Sequence, residues 1–484
     1  MYNQSRFIFR QSFIYAAGNI VTKLSGVLLL PLYLKYISET EFGVVTLLET
    51  FFQFILILSG WGAKGGFMRW YHEMGNHEEK RQLFFTTWFF NTGTSLLSLI
   101  FCGAIIFIWS SSIFRYPLST EILLLFLSAT LFRLLYDVPF YYLKLEQKAV
   151  SQTGWLSLNI LMLLGFTFYF LEVKEYGLKG IYLGQFLAHF ITLILMIPAL
   201  ITKISFRFKI DVLKEMVRYG IPLAVSNILT TILTLSDRHI INQFQNLDEV
   251  AGYSMSFKIA NLMQMVVVAS IISSYSNYFF KTLNREDNIS FFKKFSRIFF
   301  IVLLVGGLAI VFFSQEIMYL ISAGSPFFQS AVYLVPVLTA GLIFAGMRQV
   351  YTLPLNKHKK SRRISLILII VAVINIGVNI LLVPFYGKTG AAWATLIAQL
   401  VGFVWFFYES SQLEKSLLQS DKKILWLIPI WIIMLIFWSM LSGGPFFISF
   451  AIKLLLFGLF ILYLFLIKIV SIKDVKEITN FLRL

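Results

Sequence analysis

The stretch Glu41–Gly66, EFGVVTLLETFFQFILILSGWGAKGG, decides how the rest of the chain is read. Its end, GWGAKGG (60–66), spells G-x-G-x-x-G, the fingerprint of a dinucleotide-binding loop. That fingerprint carries meaning only between a short strand and the helix it opens, inside a βαβ unit. Here it follows an apolar run from Glu41 to Ser59 and precedes a charged segment, MRWYHEMGNHEEKR (68–81), and then a second apolar run. Runs of about 20 apolar residues match the ~30 Å hydrocarbon layer of a bilayer. The glycines are therefore expected to end a membrane-spanning helix, with Lys64 and Arg69 marking its cytoplasmic side. No nucleotide site is implied.

The whole chain has the same character. Of its 484 residues 58% are hydrophobic and 13% charged, with a mean hydropathy of +0.78. Soluble domains carry about 25% charged residues, so this is a polytopic membrane protein. Apolar spans fall at 11–34, 41–63, 83–109, 118–143, 150–171, 177–200, 212–236, 249–280, 290–313, 327–352, 364–383, 389–408, 424–441 and 446–467. That makes about fourteen transmembrane helices in an all-α fold. Twelve is the alternative, because 212–236 and 389–408 hold the most polar residues. With the N-terminus placed in the cytoplasm, 30 of the 41 Lys and Arg residues fall on cytoplasmic segments and their flanks. Six fall in outer loops and five inside spans. This bias puts both termini in the cytoplasm and accounts for the net charge of +17 without nucleic acid. The start, MYNQSRFIFRQSF, reads as an uncleaved cytoplasmic end. Cys102, the single cysteine, lies inside a span and forms no intramolecular disulfide.

The chain repeats itself. EYGLKG (175–180) and FYGKTG (385–390) open the sixth and twelfth spans at an offset of 210. Asn19 matches Asn227, and Glu41 matches Glu249, at 208. Gly43 then matches Gly252, after a one-residue insertion. An even number of spans separates the copies, so they form parallel repeats about an axis along the membrane normal. The expected organisation is a six-helix lobe over 1–205, a second over 206–415, and two additional helices with a cytoplasmic tail over 416–484.

Two stretches carry a family resemblance. LLLPLYLKYISETEFGVVTLLETFFQFILILSGWGAKGGFMRWYHE (28–73) resembles the amino-terminal signature of polysaccharide flippases, of O-antigen, capsule or teichoic-acid type. LTLSDRHIINQFQNLDEVAGYSMSFKIANL (233–262) resembles the start of their second half. These proteins form the polysaccharide transport branch of the multidrug/oligosaccharidyl-lipid/polysaccharide exporter superfamily. The resemblance implies a bacterial cytoplasmic-membrane flippase for cell-surface polysaccharide biosynthesis. Such a flippase moves a polyprenyl-pyrophosphate-linked oligosaccharide from the inner to the outer leaflet by alternating access. Its partners would be that substrate, membrane lipids, a polysaccharide polymerase and glycosyltransferases. More distant relatives, the lipid II flippases, bind sodium through spans seven, eleven and twelve. By resemblance Asp237, Asn375, Asn379 and Thr395 here correspond, with an amide at Asn379 where those relatives offer an acid. Coupling to Na+ or H+ is the only cofactor expectation.

Charges inside spans are the informative residues. They are Lys23, Arg133, Lys258, Arg348 and Lys453 on the basic side, and Glu49 and Asp137 on the acidic side. A Lys or Arg at the bilayer centre costs about 2.5–3.5 kcal/mol on insertion scales, so each must snorkel, pair or face a wet cavity. Lys23 and Lys258 read as cavity cations for the pyrophosphate. Arg133 and Asp137, four residues apart on one helix, form either a structural pair or a ligand site. Arg348 is either a snorkelling residue or a further cavity cation, and Lys453 is expected to snorkel. Fixed cations in a cavity would replace the hydration of an anionic substrate, whereas a cation exporter would place acids there.

Gln185 and His189 match Thr395 and Gln399 at the offset of 210. They either hydrogen-bond between helices or present a polar cavity face to sugar hydroxyls or a coupled proton. The insertion after Glu41 puts Glu49 opposite Lys258 in the repeat, a candidate gate pair. Two other classes compete: an exporter of small organic cations on the same fold, and a membrane enzyme such as a polymerase or ligase. The enzyme reading suffers from short outer loops, the longest expected at 237–249 and 314–327, and from the lack of any nucleophile–base or metal-ligand pattern.

Overall fold

A helix in hydrocarbon bonds its own backbone, and wherever it breaks, neighbouring side chains must satisfy the freed groups. Both situations shape this chain. The computed structural model describes residues 26, 28–201, 204–269, 271–272, 275–276, 279, 288–414, 427–441 and 446–466. Among them the chain is helical with no strand, and ten helices are long and apolar enough to cross a membrane. The longest, Ser361–Leu413, holds two of the expected spans and breaks between them at Gly387. The chain divides into two compact units, Met1–Ala251 and Gly252–Leu484.

In the first unit α1 is Leu30–Tyr36 and α2 is Glu39–Leu58. After the GWGAKGG turn come α3 (Ala63–Trp70), α4 (His77–Phe114), α5 (Thr120–Leu135) and α6 (Asp137–Leu145). Next are α7 (Ala149–Phe168), α8 (Gly177–Ile201) and α9 (Ile210–Phe244).

The glycines of GWGAKGG end α2 as expected, but no loop follows them directly. Residues Ser59–Gly62 form one 3-10 turn, with Gly60, Trp61 and Gly62 all at positive φ, and the chain resumes as α3. Two contacts explain why glycine is needed. A Cβ on Gly62 would strike the carbonyl of Gly220 on α9, and one on Gly220 would strike that of Gly62. A Cβ on Gly66 would lie 2.6 Å from that of Met216. The motif is a backbone-to-backbone crossing of α9.

Polar side chains of α4 satisfy the groups released at this turn and at the α5–α6 break. Gly60 N donates to Thr94 Oγ1 at 2.8 Å, and Ser59 Oγ lies 3.2 Å from Asn91 Oδ1. Trp88 Nε1 donates to the Leu135 carbonyl at 2.7 Å and Asn91 Nδ2 to that of Leu134 at 3.4 Å.

The repeat has a local structural basis. Ser38 and Glu41 form a capping box at the start of α2. At the matching position, Asn246 Oδ1 accepts from Glu249 N at 2.8 Å and caps α10 (Leu247–Met263). Gly177 and Gly387 both sit at positive φ, +52 and +53°. Three residues on, Gly180 and Gly390 approach the carbonyls of Phe170 and Leu382, where a Cβ would come within 3.1 and 2.6 Å.

The second unit continues with α11 (Asn288–Phe312), α12 (Ser314–Ile321), α13 (Val335–Lys357) and α14 (Ser361–Leu413), then α15 (Leu427–Leu441) and α16 (Phe446–Leu466). Neither expected outer loop is open coil. The segment 237–249 is helical through Phe244, which buries Asp237, Arg238 and Asn242. The segment 314–327 contains α12.

Candidate functional site

In the first unit a cavity of about 260 Å³ opens among α1, α2, α5, α7 and α8. Its polar lining is Tyr33, Glu49, Thr130, Arg133, Tyr182, Gln185 and His189. These positions follow from helical spacing: Arg133 lies one turn beyond Ala129 and Thr130, and His189 one turn beyond Gln185, so each helix turns one face to the cavity.

Behind this wall lies an ion cluster. Lys64 Nζ donates to Asp137 Oδ2 at 2.5 Å, and both side chains are largely buried, at 16% and 13% exposure. Arg133 Nη1 lies 3.5 Å from Asp137 Oδ1 but has no hydrogen-bond acceptor there, although the atom is buried. The Arg133 guanidinium also stacks over the Tyr136 ring at 5.0 Å. Among the described residues two cations thus share one carboxylate, leaving the cluster with one surplus positive charge. The sequence reading paired Arg133 with Asp137 but placed Lys64 in a cytoplasmic loop. The helix restart at Ala63 aims Lys64 inward instead.

His189 joins the cluster through Tyr136, whose hydroxyl lies 2.8 Å from Nδ1. Asn159 Nδ2 lies 3.2 Å from the same nitrogen and donates to Thr192 Oγ1 at 2.8 Å. Tyr136, Asn159 and Thr192 escaped the sequence reading because single polar residues in apolar helices carry no partner information.

The other expected residues are distributed as follows. Lys23 lies outside the described residues. Glu49 is exposed on α2, and Lys258 is half-buried on α10. Asp237 is fully buried on α9 of the first unit. In the second unit Asn375 and Asn379 are fully buried on α14, where Asn379 Nδ2 donates to the Asn375 carbonyl at 2.9 Å. Thr395 Oγ1 meets the Tyr253 hydroxyl at 3.1 Å, and Gln399 is buried one turn further on. Arg348 does not snorkel. It is 7% exposed, its Cδ packs where Gly402 leaves room, and it forms no ion pair among the described residues. Lys453 does not snorkel either. It is completely buried on α16 and holds Glu316 and Gln315 of α12, each at 2.8 Å. A carboxylate 137 residues away removes the need to reach the interface.

The polysaccharide biosynthesis protein family matches residues 8–283, more than half of the chain. The chain belongs to that family. The MatE family matches residues 222–381. No curated relative matches. Among solved structures, the fold is similar to that of the lipid II flippase MurJ in its inward closed conformation. The TM-score is 0.70 at 18% identity, over 94% of this chain and all of that one. It is also similar to a multidrug resistance MATE family transporter of the MOP superfamily. The inward-facing form gives a TM-score of 0.64 at 14% identity, over 83% of this chain and 99% of that one. The outward-facing form gives 0.61 at 15% identity, over 85% and 96%. The family member described here is a multi-pass membrane protein whose fold is similar to that of the MurJ and MATE structures.

Proposed function

We propose that the protein is a flippase for a polyprenyl-pyrophosphate-linked oligosaccharide, moving it from the inner to the outer leaflet of a bacterial cytoplasmic membrane, with both termini cytoplasmic. One observation carries the reading: among the described residues Arg133 lines the cavity while its Nη1 lacks an acceptor, and Lys64 backs it around a single carboxylate. A pyrophosphate diester carries about two negative charges, and an Arg fork is suited to bidentate phosphate contacts. The cavity's tyrosines, glutamine and histidine suit the hydroxyls of a sugar. The family match to polysaccharide biosynthesis supports the same substrate class.

A second reading, export of small organic cations, draws on Glu49, which lines the same cavity. Complementation separates the two. In cells lacking their own flippase, the wild-type gene should restore surface glycan, Arg133→Ala should lose it, and Arg133→Lys should retain part. Full glycan export by Arg133→Ala at normal protein levels would remove the anion role. Drug resistance that depends on Glu49 and not on Arg133 would favour the cation exporter.

A further inference from the structure

The ion cluster has a feature that substrate binding alone does not require. A cavity built only to attract a diphosphate would be stronger without Asp137, whose carboxylate occupies both cations. We propose that Asp137 is a resident counter-ion: it holds Lys64 and Arg133 before substrate binds, yields them to the pyrophosphate, and takes up one proton as it does so. This inference rests on the flippase reading above and adds to it a specific proton-coupling group.

The argument is electrostatic. Asp137 is 9% exposed, and a carboxylate so placed stays ionised only while cations compensate for lost hydration. Its compensation comes from Lys64 on α3 and Arg133 on α5. The other described groups around it supply no replacement. Tyr136 and Tyr141 on the same segment are phenols, and His189 on α8 meets the Tyr136 hydroxyl and shares the cavity lining with Arg133. From α4, Trp88 and Asn91 bond the carbonyls of Leu135 and Leu134 and do not titrate. A diphosphate that engages Arg133 from the cavity competes with Asp137 for the positive charge of the cluster. Two anions around the same cations repel, and the buried carboxylate relieves this by binding a proton. The geometry already favours the exchange, because Arg133 Nη1 stands a long 3.5 Å from Asp137 Oδ1 and has no hydrogen-bond acceptor among the described residues. Return of the carboxylate after release would expel the proton. Binding is thereby linked to protonation and tightens as pH falls, by up to about tenfold per pH unit for one proton.

The test uses the purified full-length protein in lipid nanodiscs and a farnesyl-pyrophosphoryl monosaccharide, a diester whose charges do not titrate near neutrality. Calorimetry in buffers of different ionisation enthalpy counts protons bound with the probe. Difference infrared spectroscopy of the wild type looks for the carbonyl stretch of a protonated carboxylic acid on binding. The expected result is uptake approaching one proton per probe and a new carboxylic-acid band. Both should be absent in Asp137→Asn and present in Glu49→Gln. Binding with no proton uptake and no band in the wild type would overturn this proposal and leave the flippase reading intact. A band that survives Asp137→Asn but disappears in Glu49→Gln would also overturn it, moving the role to Glu49. If the wild type does not bind the probe at all, the flippase reading fails and the proposal fails with it. The infrared result on the wild type stands even where Asp137→Asn does not fold.

Discussion

Lys453 illustrates what a charge demands at the scale of one residue. Completely buried, it is matched by Glu316, itself 6% exposed. Removing one member of such a pair strands the other, at a cost of about 3–5 kcal/mol, whereas removing both can be nearly neutral. Lys453→Met should therefore lower the thermal midpoint in detergent sharply, and adding Glu316→Leu should recover most of the loss. Equal destabilisation by the single and double variants would show that the ammonium matters through packing alone. At Lys64 the expectation is milder. Lys64→Met leaves Asp137 with Arg133, so about 1.5–3 kcal/mol should be lost, the typical range for a hydrogen bond to a charged group. Purified Lys64→Met whose unfolding matches the wild type would contradict the buried position of the pair.

Among elements, the decisive contact is the crossing of the GWGAKGG turn over α9. Gly220 lies inside a helix, so an alanine there adds steric bulk without backbone strain. Its Cβ has nowhere to go but the Gly62 carbonyl. Gly220→Ala should force the two segments apart and reduce the yield of folded protein. Gly93, mid-helix on α4 with open space around its missing Cβ, is the matched control. Gly93→Ala should be neutral or stabilising by up to about 1 kcal/mol. Similar losses at both positions would mean that the crossing is not close-packed. A second inter-element tie is titratable. Glu414, just beyond α14, accepts from Lys357 Nζ at 2.8 Å and from His358 Nε2 at 3.2 Å. Burial pushes its carboxyl up, but these hydrogen bonds and charges outweigh burial and hold it below the ordinary glutamate value of 4.5. A depressed carboxylate contributes stability above its unfolded pKa and loses it as pH falls through the folded value. The wild type should thus lose this contribution below about pH 4.5, and Glu414→Gln should show a flatter acid limb in a pH series of unfolding midpoints.

For the whole molecule, orientation is the property most directly open to measurement. Cys102 is buried, so single cysteines can be introduced without interference. In intact cells an impermeant thiol reagent should label Ser330→Cys, an exposed position before α13. Ser361→Cys, exposed at the start of α14, should react only after permeabilisation. The opposite pattern would invert the topology and the proposed direction of transport.

Much of this architecture was legible in the amino-acid order because a bilayer enforces local rules. Hydrocarbon requires each helix to be long, apolar and internally bonded, so spans such as 83–109 and 177–200 stand out by composition. The repeat was legible for a similar reason. Gly177 and Gly387 need positive φ, and Glu41 and Glu249 begin capped helices, all of which are short-range demands. Tertiary structure alone decided where the charges go. Lys64 meets Asp137 across 73 residues and Lys453 meets Glu316 across 137. No local pattern encodes those distances, since an ion pair depends on which helices become neighbours. The same holds for GWGAKGG. Its composition announces a turn, but only the Gly220 carbonyl on a helix more than 150 residues away explains why the turn is made of glycine. Burial is a property of the packed molecule, and it determines whether a charge snorkels, pairs or waits for a ligand.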